Sequence, residues 1–235
     1  MALLVFALAT ADSAIAAEVR GQLRIGHYSS GNGLIGFVLD SLATPIKLRF
    51  DDSEEILALT AEPAPYSSVT LKRDDGFAVL RIGEDGHVLL FDERLNGGSG
   101  TAYRDQDAQP LTVRAATKTQ AHADADALGP KLKRSSGVAL EVVLDAPRLG
   151  DKSDGWAAMA DAVSVIGTAL GEMLDSSIAR ETIAAKLRRV VIRDAGRIDI
   201  KVVEDRTLVV EIATDQPIVG RPSSARLKSA IGDLL

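Results

Sequence analysis

Between Gln22 and Arg114 the apolar residues come in short alternating runs, each cut off by a turn residue, and this cadence points to an antiparallel β meander or small barrel. The runs fall at residues 22–28, 34–40, 46–50, 55–61, 68–73, 77–82, 87–92 and 111–114. Gly31-Asn32-Gly33, Asp75-Gly76 and Asp85-Gly86 supply residues that tolerate positive φ, as tight turns require. The clearest hairpin joins 77–82 to 87–92 around Gly83-Glu84-Asp85-Gly86. Pro63-Ala64-Pro65 removes two backbone donors, which confines it to an edge or a crossing loop. Asn96-Gly97-Gly98-Ser99-Gly100 reads as flexible enough for disorder.

From Val138 onward the period changes. Residues 138–145 form a continuous apolar strand, and Ser153 with Asp154 offers an N-cap to a long helix. On that helix Trp156, Met159, Val163, Ile166, Leu170 and Met173 recur at spacings of three and four, beside a narrow polar line of Asp161, Ser164, Thr168 and Glu172. Gly167 and Gly171, one turn apart, allow close packing in a core. A second helix is expected over 177–193, then a hairpin in which a loop of Asp205-Arg206-Thr207 sets Lys201 opposite Glu211, then a terminal helix opened by Pro222-Ser223-Ser224. The fold class is therefore α+β: an N-terminal antiparallel β meander or small barrel followed by a β-α-α-β-β-α unit. The expected division is a β-rich domain over 18–116, a polar linker or short helix over 117–137, and an α+β domain over 138–235. Pro130 is expected to open any short helix in the linker.

Residues 1–17 read as a signal peptide: Ala2 to Ala9 form an apolar core, and Ala14-Ile15-Ala16 is a small-residue cleavage signal. No basic residue precedes Arg20, so the start codon is expected to lie upstream of Met1. A buried amino-terminal helix is the competing account. The apolar core is shorter than the roughly 20 residues a bilayer demands. The most apolar later run, 156–174, is interrupted by Asp161 and Glu172, so no transmembrane anchor is expected. The expected location is periplasmic or secreted. With no cysteine, disulfides, thiolate metal sites and lipidation through Cys are excluded. A net charge of −6 spread along the chain argues against nucleic acid, and 4% aromatic residues argues against stacking platforms.

Gly36-Phe37-Val38-Leu39-Asp40, Leu48-Arg49-Phe50, Leu57-Ala58-Leu59, Val79-Leu80-Arg81 and Gly220-Arg221-Pro222-Ser223-Ser224-Ala225-Arg226 together resemble a family of exported bacterial proteins of unknown function. The resemblance covers most of the chain beyond the signal peptide. It implies a compartment and a fold, and it transfers no catalytic residue.

Three histidines, His27, His87 and His122, are a small supply for catalysis, and no G-x-S-x-G elbow accompanies them. No catalytic residue and no cofactor is assigned. His122, Asp124 and Asp126 space themselves like hard-cation ligands, but a solvated helix start or loop explains them as well, and no metal site is expected. Gly31-Asn32-Gly33 and Gly97-Gly98-Ser99-Gly100 lack the Lys-Ser/Thr of a phosphate loop. Two binding candidates emerge. Arg221, Ser223, Ser224 and Arg226 bring guanidiniums, hydroxyls and free helix N–H groups together as an anion site, or else form a capped helix whose arginines pair with carboxylates. Lys186, Arg188, Arg189 and Arg193 form a basic surface for lipid headgroups or an acidic partner, or else an ordinary solvated helix face. A non-enzymatic periplasmic binding or envelope-interaction module follows, with an envelope protein, an anionic ligand or lipid headgroups as partners. The alternative is an envelope hydrolase whose carboxylate or histidine site only the fold assembles.

Overall fold

The computed structural model describes residues 23–151 and 153–234, so residues 1–17, with the signal peptide expected there, lie outside the described residues. The chain divides into two units, one ending at Thr112 and the other beginning at Val113.

The first unit is a closed antiparallel barrel of eight strands. These are β1 (Gly26–Ser30), β2 (Gly36–Asp40), β3 (Ile46–Phe50), β4 (Leu57–Ala64), β5 (Ser68–Lys72), β6 (Ala78–Ile82), β7 (Val88–Phe91) and β8 (Ser99–Gln106). Each pairs with its successor, and β8 returns to β1. The alternation in sequence becomes inside and outside: Phe37, Leu39, Leu48, Leu71, Leu80, Ile82 and Leu90 are fully buried in one apolar cluster. An eight-stranded barrel is just narrow enough for side chains to fill, and this one is filled.

Two expectations in this unit change. The Gly-rich segment at 96–100 is not a disordered loop but a tight turn that runs straight into β8, the strand that closes the barrel. Residues 111–114 form no strand; instead Leu111 is pinned outside the barrel, its N–H donating to Asp40 and its carbonyl accepting from Lys47. Pro63 lies within β4, at a point where that strand has run past its pairing with β3 and borders only β5. The missing donor is tolerated because this stretch of strand is locally an edge.

The second unit packs helices against a four-stranded mixed sheet. Its elements are α1 (Lys118–Ser136), β9 (Glu141–Asp145), α2 (Gly155–Asp175), α3 (Ser177–Lys186), β10 (Arg189–Asp194), β11 (Asp199–Val203), β12 (Thr207–Ile212) and α4 (Ser224–Leu234). The strand order is β11-β12-β10-β9, with β10 parallel to both β9 and β12 and β11 antiparallel to β12.

The expected linker at 117–137 is a 19-residue helix. Thr117 accepts from the Gln120 N–H while the Gln120 side chain accepts from the Thr117 N–H, a reciprocal capping box. Ala121, Ala125, Leu128 and Leu132 then give it a buried face, and Pro130 sits inside the helix rather than opening it. Gly129 lets the Leu140 carbonyl approach where any side chain would collide.

The helix expected over 177–193 stops at Lys186, and residues 189–194 become the central strand. Leu187, Val190 and Val191 mimic a helical spacing, but the β-branched run Val190-Val191-Ile192 favours a strand, and Val190 and Ile192 are both fully buried between parallel neighbours. In the following hairpin Val203 pairs Thr207, so the loop is Glu204-Asp205-Arg206. Asp199, not Lys201, then stands opposite Glu211, although the Lys201 ammonium still reaches Glu211 diagonally at 2.7 Å.

α2 is long and apolar enough to cross a membrane, yet it is the core helix of this unit. Trp156, Met159, Val163, Ile166 and Leu170 are buried, and α1, α3, α4 and β10 pack around it. The polar line read on α2 faces α4: Asp161 pairs with Arg221 and Glu172 with Lys228. Gly167 admits Leu128 of α1, whereas Gly171 faces open space.

Candidate functional site

Chemistry-bearing side chains of the first unit gather along the seam where β8 meets β1. The register slips there between His27 and Tyr28, a bulge that re-aims the neighbouring side chains. Tyr28 points inward and stacks on Phe37 with ring centroids 5.5 Å apart, while His27 and Ser29 point outward.

A surface cleft of about 320 Å³ opens beside this seam, lined by Arg24, Tyr28, His87, Tyr103 and Arg104 among others. Arg104 reaches it by passing over Gly26, where any side chain would overlap the guanidinium and the Gln106 carbonyl. Its Nε and Nη2 donate to the Ile25 carbonyl, and Nη2 also pairs with Asp107. The Tyr28 hydroxyl donates to the Arg24 carbonyl at 2.8 Å, and burial raises its pKa above the ordinary tyrosine value, partly opposed by the Arg104 charge. The Arg24 guanidinium and the His87 imidazole have no hydrogen-bonding partner among the described residues. Two arginines, an imidazole and two phenol rings around one small opening form a recognisable set: cations to hold an anion and aromatic faces for an apolar body.

The outward side carries a second cluster. His27 Nε2 lies 2.8 Å from Asp51 Oδ2, and its Nδ1 lies 2.7 Å from Asp105 Oδ1. Ser29 donates to the other Asp105 oxygen at 2.5 Å. Burial of the ring opposes protonation and is the largest single influence, but the hydrogen bonds to Asp51 and Asp105 and their charges together outweigh it, so the His27 pKa is raised. The Ser29 hydroxyl and then His27 hold the Asp105 carboxyl below its ordinary value.

The two binding candidates read from the sequence lie in the second unit. Arg221 is buried, and its Nε donates to Asp161 at 2.5 Å. The Ser223 hydroxyl accepts from the Arg226 N–H and so caps α4. Arg221, Ser223, Ser224 and Arg226 are thus brought together at the start of one helix, with Arg221 turned into the protein. Of the basic set, Lys186 ends α3 and Arg188 follows it, while Arg189 and Arg193 share one face of β10. Each has a carboxylate beside it on β9, Arg189 with Glu141 and Arg193 with Asp145, both at 2.7 Å. His122, Asp124 and Asp126 fall on α1, where successive i, i+2 positions splay apart; Asp124 pairs with Arg114 and the His122 ring packs near Trp156. Among the described residues no group of three or more His, Cys, Asp or Glu could hold a metal ion.

The sequence matches the family described as Domain of unknown function (DUF4908) over residues 10–231. The chain belongs to the DUF4908 family. No curated protein and no solved structure matches it. The DUF4908 match spans both units, so barrel and α/β sheet are parts of one family domain. Sequence reasoning about this DUF4908 chain singled out His27 and His87 but not Arg24, Tyr28, Tyr103 or Arg104. A faint signal lay in Arg104-Asp105, two charges in the segment between the strands expected at 87–92 and 111–114, which turns out to hold the barrel's closing strand.

Proposed function

We propose that the chain is an exported, non-enzymatic binding module of the cell envelope whose barrel cleft takes a small organic anion. The observation that carries the proposal is the cleft itself, in which the Arg24 guanidinium and the His87 imidazole stand without hydrogen-bonding partners among the described residues and Arg104 is aimed by the vacancy over Gly26. Its volume lies at the small end of ligand sites, which suits a carboxylate or phosphate ester with a compact apolar body. A hydrolase reading asks His27 to take a proton from a nucleophile, and both its ring nitrogens already face carboxylates. Ser29 is bonded to Asp105, not to the imidazole, so the order of groups is not that of a nucleophile, a base and its orienter. Export rests on the composition of residues 1–17.

Native mass spectrometry of the chain recovered from its own cells tests both parts. The expected species begins after Ala16 or Ala17 and carries a small anionic adduct that Arg24→Ala loses. Recovery of intact Met1 in the cytoplasmic fraction overturns the export claim. An adduct-free wild type, or one whose adduct survives Arg24→Ala, overturns the cleft.

A further inference from the structure

The His27 cluster has a geometry that the binding proposal does not use. One imidazole bridges two carboxylates that lie 24 and 78 residues away in sequence, Asp51 in the turn after β3 and Asp105 in β8. It does so across Gly36 of β2, where a side chain would overlap the Asp51 carboxylate and crowd His27 Nε2. The ring therefore ties the outer face of β1 to the strand that closes the barrel on one side and to the β3 turn on the other.

Both contacts need a donor on the imidazole. The doubly protonated ring donates from both nitrogens, whereas the neutral ring has one N–H and one lone pair. At 2.7–2.8 Å a lone pair facing an ionised carboxylate is repulsive, so loss of the proton must break one of the two contacts. The clasp sits where the ladder shifts register, between His27 and Tyr28. Asp105 is itself oriented by Ser29, so the carboxylate is fixed in place.

We infer that His27 is a proton-operated clasp on the β1–β8 seam, closed when the imidazole is doubly protonated and released from one carboxylate when it is neutral. The clasp stands independently of the cleft ligand. Among the described residues the groups facing the ring are few. β1 contributes the Ser29 hydroxyl, the β3 turn contributes Asp51, and β8 contributes Asp105. β3 places Arg49 on the same outer face, β2 presents only Gly36 and Val38, and Tyr103 of β8 is uncharged. Nearby Asp52 and Asp107 are paired with Arg94 and Arg104. Because protonation is favoured in the folded state, the clasp is fully closed below the ordinary histidine value of about 6.5. It opens as the pH rises through the higher folded-state value.

The test is a pH titration of the full chain followed by NMR at His27 and by amide exchange along β1 and β8, corrected for the intrinsic pH dependence of exchange. The wild-type imidazole is expected to titrate above the ordinary histidine value, and seam amides are expected to lose protection across that titration. Gly36→Ala pushes the Asp51 carboxylate aside and lowers the His27 midpoint toward the ordinary value. His27→Gln removes the pH dependence of seam exchange. A wild-type His27 titrating at or below the ordinary value overturns the clasp, a result that needs no variant to fold. Seam protection that is flat across the His27 titration, or unchanged in its pH profile by His27→Gln, overturns it as well.

Discussion

Gly26 and Gly36 act through what they leave empty. Gly26 gives Arg104 its route to the cleft, and Gly36 gives His27 its route to Asp51. Gly26→Ala is therefore expected to displace Arg104 and to weaken anion binding at least as much as removing that guanidinium, measured by titration of both variants. In the second unit the Arg221 and Asp161 side chains are only 3% and 11% exposed, so removing Asp161 takes a carboxylate away from a buried guanidinium. Asp161→Ala should cost about 3–5 kcal/mol in denaturant unfolding. A cost under about 1 kcal/mol would mean that the other contacts of Arg221 hold its charge without Asp161. The motif around Arg221 was visible in the sequence, but its partner lies 60 residues away and only the packing of α2 against α4 joins them. His27 posed the same difficulty, since neither carboxylate is local. Local reading reaches the side chain and misses what a fold places opposite it.

At the scale of elements, the strands of the first unit were readable because one face is mostly buried and the other is not, so buried residues alternate in β1, β3, β4 and β7. β8 was missed because Gly97, Gly98 and Gly100 looked like a flexible segment, whereas Gly97 and Gly98 supply the positive φ of a turn. β10 was misread because Leu187, Val190 and Val191 continue the spacing of α3, although the strand alternates, with Val190 and Ile192 on its buried face and Arg189 and Arg193 on the other. α1 announced itself by Thr117 and Gln120 at capping-box spacing, a signal outweighed by the polar composition and Pro130. Thr117→Ala should cost about 1 kcal/mol of second-unit stability in denaturant unfolding. Thr117→Ser should retain most of it. Equal losses in both variants would remove the box from the account of why α1 starts there.

On the scale of the whole molecule, the described residues hold two apolar clusters, one filling the barrel and one between the helices and the sheet. Phe37→Ala empties the centre of the first and should destabilise the barrel by about 3–5 kcal/mol. Tryptophan fluorescence reports the second unit, through Trp156, and its unfolding transition should stay where it was. A matching shift would show that the two units unfold as one. The division into a β-rich and an α+β half was readable from the change in hydrophobic period, but the cleft was not, because its residues come from three separated stretches of the barrel sequence. Anion binding in that cleft is the central property of the proposed role. Its most direct measurement is an NMR titration of the full chain with phenyl phosphate, beside benzyl alcohol as the uncharged control. The account predicts saturable shifts at Arg24, Tyr28, His87, Tyr103 and Arg104 with phenyl phosphate alone, weakened at least tenfold by Arg24→Ala. Shifts that fail to appear, appear equally with benzyl alcohol, or survive Arg24→Ala unchanged would contradict it.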